Sequence, residues 1–139
     1  MAKVSMTTKV NVPASQLWDL IGGFDAMPAW HPAIEKSEVE EDDSGSIRTL
    51  TLAGGGKIVE RLESQDDSGH SYSYAILESP LPLVNCHATI RVNEDEGGGC
   101  TVEWSSEFNP AGAPENDAMK AVEGIYQAGF DNLRKMFGG

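Results

Sequence analysis

Residues Pro114–Gly138, PENDAMKAVEGIYQAGFDNLRKMFG, decide the fold. Met119, Val122, Ile125, Tyr126, Gly129, Leu133 and Met136 recur at helical spacing and form one apolar stripe. Pro114 stands near a first helical position. Glu115 and Asp117 place negative charge in the first turn, Arg134 and Lys135 place positive charge in the last, and Gly138 follows. The spacing predicts a helix over Glu115–Phe137, about 35 Å long at the usual rise. Gly124 and Gly129 each cost it about 1 kcal/mol of helix propensity against alanine. Gly129 lies on the stripe, where it leaves either a cavity or room for close helix–sheet packing.

Strands fill most of the chain before this helix. Val4, Met6, Thr8, Val10 and Val12 alternate as a first strand, and Pro13 then opens a short helix carrying Leu17, Trp18, Ile21 and Phe24. Gly22-Gly23 ends it, and Pro28 and Pro32 prevent any long element in the segment that follows. Turn signals recur at Asp42–Gly45, Ala53–Gly56, Asp66–Gly69, Ser79–Pro82 and Asn93–Gly99. Between them Tyr72, Tyr74 and Ile76 alternate in one strand, Cys86, Ala88, Ile90 and Val92 in another. Val102, Trp104, Ser106 and Phe108 alternate in the last. Six short strands make an antiparallel meander with no βαβ unit. A sheet of seven strands with one long helix must curl around that helix to bury both. The expected class is α+β.

The run Lys57-Ile58-Val59-Glu60-Arg61-Leu62-Glu63 adds a chemical clue. Strand alternation puts Ile58, Glu60 and Leu62 on the more apolar, inward face. An unpaired buried carboxylate costs several kcal/mol, so a partner or a wet cavity is expected inside. His31, Tyr74 and water are the candidate partners. Glu60 either orients a ligand hydroxyl, acts as a general base, or serves as a paired structural carboxylate. His31, between Trp30 and Pro32, is either a hydrogen-bond donor and proton shuttle at a pocket wall or a surface histidine beside a structural tryptophan. Tyr72, Tyr74 and Trp104 read as inward aromatics whose polar tips need partners. His87 alternates with Asn85 and Thr89 on the outer face, and His70 lies in a turn.

Composition narrows the function classes. The 139 residues predict a single domain over 1–139 with its own core. The net charge is −12, with acidic clusters at Glu38, Glu40–Asp43, Asp66-Asp67 and Glu94–Glu96. That balance repels phosphates and anionic lipid, which argues against nucleic acid and membrane surfaces as partners. No signal-peptide stretch and no membrane-length apolar run is present, so a cytoplasmic protein is expected. The strand layout separates Cys86 from Cys100 by about 20 Å, too far for a disulfide. With no metal-ligand spacing, neither a metal nor a cofactor is expected. Gly54-Gly55-Gly56-Lys57 lacks the spacing and following helix of a phosphate loop. No serine or cysteine nucleophile signature appears.

Taken together, Val12–Ile21, Trp30-His31-Pro32, Glu60-Arg61-Leu62, Tyr72–Ile76 and the closing helix resemble the START-like polyketide cyclase/dehydrase superfamily. That group also includes birch-pollen-type allergens and plant abscisic acid receptors. The resemblance spans the whole chain in order. It implies a helix-grip fold, a curved seven-stranded antiparallel sheet around a long C-terminal helix, with two short helices between strands 1 and 2. It also implies an internal cavity for lipids, polyketides or steroid-like molecules, with the Ala53–Gly56 and Ser79–Leu83 loops over its mouth. His31 matches a receptor lysine that meets the ligand's carboxylate, and Glu60 matches a pocket glutamate acting through water. The receptor gate and latch sequences are absent.

The expected function is binding or carrying a small, mostly hydrophobic ligand. Ile58, Leu62, Ile76, Ala88, Val122 and Ile125 are the candidate apolar walls. Glu60, His31, Tyr72 and Tyr74 are the polar groups, and Cys86, Trp104, Tyr126 and Gly129 complete the candidate site. The alternative is a cyclase or dehydratase using Glu60 and His31 as acid and base. A protein-interaction module is a third possibility.

Overall fold

The structure, a computed structural model, describes residues 2–138. The elements run β1 (Ala2–Val10), α1 (Ala14–Ile21), α2 (Met27–Trp30), β2 (Ile34–Asp42), β3 (Gly45–Leu52), β4 (Lys57–Asp66), β5 (Ser71–Glu78), β6 (Leu83–Glu94), β7 (Cys100–Pro110) and α3 (Glu115–Phe137). The strands form one seven-stranded sheet in the order β1-β7-β6-β5-β4-β3-β2. Every neighbouring pair is antiparallel. Strands β2 to β7 make the meander, and β1 returns beside β7. Helix α3 packs against β1 and β7, α1 against β6, and α2 against β2. This is the helix-grip fold.

Alternation decides what each strand buries. In β6 Cys86, Ala88, Ile90 and Val92 are buried, and in β7 Val102, Trp104, Ser106 and Phe108. Strand β2 departs from this: only Ile34 is buried, while Glu35, Lys36 and the stretch from Glu38 to Asp42 are exposed. A charged, solvated edge strand discourages pairing with another chain.

The ends of α3 fall where the sequence places them, but its buried stripe differs. Ala118 and Phe130 are buried as well, and Met136 is exposed. The step of four from Leu133 puts Phe137 against the core instead. Helix α1 follows Pro13, its N-cap residue, without a side-chain cap. Its Ala14 N–H donates to Glu94 Oε2 on β6 at 2.6 Å, so a distant carboxylate supplies the anion that a helix N-terminus favours. Cys86 and Cys100 are both buried free thiols. No helix among the described residues is long and apolar enough to cross a membrane.

Candidate functional site

Glu60 is buried as its alternation predicts, and its partner is Arg48. The two residues face each other across the β3–β4 pair. Arg48 Nε donates to Glu60 Oε1 at 2.7 Å, and Nη2 lies 2.7 Å from the same oxygen. Nη1 donates to the Phe24 carbonyl at 2.9 Å and to the Tyr72 hydroxyl at 3.2 Å. The guanidinium sits over Phe24, 4.3 Å from the ring centroid, with Tyr74 and Tyr72 close beside it. It is wholly inaccessible to solvent. Burial works against its charge, but the Glu60 carboxylate and the Tyr72 hydroxyl that accepts from it outweigh this and hold the guanidinium protonated. Burial pushes the Glu60 carboxyl above its ordinary range, and Arg48 offsets this only in part.

The expected Glu60 partners are engaged elsewhere. Tyr74 accepts a hydrogen bond from Trp104 Nε1 at 3.0 Å. His31 is neither a surface residue nor paired to Glu60: it is 1 % exposed. Its Nδ1 accepts the Ala33 N–H at 3.1 Å, which leaves Nε2–H to donate to the Ile125 carbonyl of α3 at 2.7 Å. Burial lowers the His31 pKa, and the bond to Ile125 raises it only in part. The neutral ring thus ties α2 to α3.

Gly129 explains how the ring approaches so closely. A Cβ there would lie 2.8 Å from the Trp30 ring and 2.9 Å from the His31 ring. Close packing, not a void, is the reason for glycine on the stripe. Asn132 adds a second tie, donating to the Trp30 carbonyl at 2.8 Å.

A cavity of about 40 Å³ lies between the sheet and α3. Ile58, Ile76, Ala88, Val122 and Ile125 form apolar walls. Glu60, Tyr74, Cys86, Trp104 and Tyr126 also face it. This space holds about two or three waters, well below the roughly 300–1,000 Å³ of a site for a drug-sized molecule. Aromatic rings fill the rest. Trp104 stacks on Tyr126 with centroids 4.2 Å apart and planes 16° off parallel, and Trp30 and Phe130 pack on its other sides. At one end Leu81 lines the cavity, and a side chain at Gly56 would touch both Leu52 and Pro80. The β3–β4 and β5–β6 turns therefore lie side by side there. Gly54, Gly55 and Gly56 all have positive φ, which makes that turn adaptable.

Four candidate residues stand away from the cavity lining. Tyr72 is turned toward Arg48 and Phe24, and His31 and Gly129 pack on each other. Leu62 is half-buried just before the β-bulge at Leu62/Ser64. The structure adds Met27, Ile34, Leu50 and Leu81 to the lining. Larger depressions lie on the outer face, one of about 340 Å³ over Lys3, Ser5, Ser73, His87 and Thr89. His87 there pairs with Glu63 at 2.9 Å.

Comparison with known proteins agrees with this fold. Residues 1–138 match the family model described as polyketide cyclase/dehydrase and lipid transport. The abscisic acid receptor PYL2 of Arabidopsis thaliana is 28 % identical over 94 % of this chain and 73 % of its own length. The solved structure of the XoxI protein from Bacillus cereus superposes with a TM-score of 0.93 at 35 % identity, covering 99 % of this chain and 96 % of that one. A Zhui aromatase/cyclase from a Streptomyces species reaches a TM-score of 0.76 at 16 % identity over 97 % and 92 % of the two chains, and so shares the fold.

Proposed function

The chain belongs to the polyketide cyclase/dehydrase and lipid transport family, and on that premise we propose that it binds or carries a small, mostly hydrophobic molecule between its sheet and α3. One observation carries this reading: an apolar cavity between sheet and helix that also bears a single charged side chain, Glu60. Apolar walls supply affinity at about 25 cal/mol per Å² buried, and Glu60 with Tyr74 orients the molecule. The free volume requires the walls to part on binding, and the glycine turn at Gly54–Gly56 and the neighbouring Ser79–Pro82 turn are where they would open. The receptor likeness to PYL2 supports a ligand-binding role.

A cyclase or dehydratase would need an acid and a base facing one substrate position. His31 is bonded to Ile125 and stands off the lining, so Glu60 has no histidine partner facing the same substrate position, and binding is the better-supported reading. Native mass spectrometry of the purified protein tests it. A small molecule retained, or taken up from a hydrophobic mixture with one-to-one stoichiometry, is the expected result. Failure to retain or take up any apolar molecule would remove the carrier reading.

A further inference from the structure

The cavity's lining is mostly apolar, with a few polar groups among the described residues. Glu60 is the one charged side chain lining it. Its Oε1 receives Arg48, whereas Oε2 makes no hydrogen bond among the described residues. Arg48 itself does not line the cavity: it is covered by Phe24, Tyr72 and Tyr74 and spends Nη1 on Phe24 and Tyr72. His31 offers no charge either, since both ring nitrogens are bonded to backbone and the ring is not part of the lining. An occupant therefore meets the negative end of the Glu60–Arg48 pair, with the positive end screened behind it.

In so apolar a space a like charge beside Oε2 is strongly disfavoured, because little solvent is present to screen it. A hydroxyl or N–H would instead satisfy the carboxylate with a charge-assisted hydrogen bond. The Tyr74 hydroxyl accepts from Trp104, and its own O–H is a neutral donor that brings no positive charge to balance an anion beside Glu60. We propose that the pocket selects small neutral molecules bearing a hydrogen-bond donor, such as phenols or alcohols, and rejects carboxylate anions. This inference rests on the interior being the ligand site.

Calorimetric titration with naphthalene, 2-naphthol and 2-naphthoate at neutral pH tests it, because the three share one ring system and differ in the polar group. 2-Naphthol should bind roughly tenfold or more tightly than 2-naphthoate, the difference expected for a hydrogen bond to a charged group, with naphthalene between them. In Glu60→Gln the preference should shrink or reverse, since Arg48 then lacks its counter-ion. The wild-type series decides the matter even if that variant folds poorly. Equal or tighter binding of 2-naphthoate overturns the selectivity while leaving the pocket in place. If none of the three is taken up, naphthalene included, the site reading falls and the selectivity falls with it.

Discussion

A carboxylate buried without a counter-ion costs several kcal/mol, and Arg48 removes that cost for Glu60 by standing opposite it on β3. The pair is held by aromatic faces as well as by charge, so each partner depends on the other. Arg48→Met should destabilise the fold by about 3–5 kcal/mol, because it strands the Glu60 charge. Arg48→Met with Glu60→Leu should cost clearly less than the sum of the two single changes. Denaturant unfolding of the four proteins measures this, and additive losses would contradict the pairing. Glu60 was legible from its strand pattern. Arg48 carried the same signal, lying on the face of Leu50 and Leu52 beside a short turn, but a charged residue in an apolar strand reads as outward until its partner is placed.

His31 makes a pH prediction. Folding holds its ring neutral and below its ordinary pKa, mainly through burial, while the unfolded chain takes up the proton near pH 6.5. Between those two values the unfolded state binds more protons, so stability falls as pH drops below about 6.5 and is level above it. The urea midpoint of the wild type should therefore fall between pH 7.5 and 5.5 by more than that of His31→Gln. Equal falls in both proteins would show that His31 does not titrate in this way.

At the scale of elements, the two glycines of α3 make a matched test. Gly124 has open space around it, and Gly129 faces the rings of Trp30, His31 and Trp104. Gly124→Ala should stabilise by about 0.5–1 kcal/mol through helix propensity. Gly129→Ala should destabilise by about 1–3 kcal/mol through overpacking against Trp30 and His31. Thermal unfolding that raised stability in both would contradict the close approach. The helix itself was evident from its stripe and end charges. The meaning of Gly129 was not, because a glycine on an apolar stripe looks the same above a void and beneath an indole. In α1, Glu94 is the remote cap, and Glu94→Ala should cost about 0.5–2 kcal/mol, as lost N-caps do.

On the scale of the whole molecule, a meander of short strands and one amphipathic helix left few ways to bury both. The curled sheet around α3 follows from that. The cavity's size did not, because it depends on how Trp104, Tyr126, Trp30 and Phe130 stack after β7, α2 and α3 meet. Of the expected walls, Ile58, Ile76, Ala88, Val122 and Ile125 line one enclosed space and Leu62 does not, and that space of about 40 Å³ is far smaller than a ligand. If the interior takes up a ligand as proposed, it must expand to do so, and uptake should be accompanied by movement of the turns around Gly56 and Pro80.

The most direct test is a methyl-resolved NMR titration with naphthalene. Saturable shifts and intermolecular contacts at Ile58, Ile76, Ala88, Val122 and Ile125, with exposed Val39, Leu77 and Val84 unchanged, are the predicted result. Shifts confined to Leu77 and Val84, or none at the lining methyls, would contradict an internal ligand site.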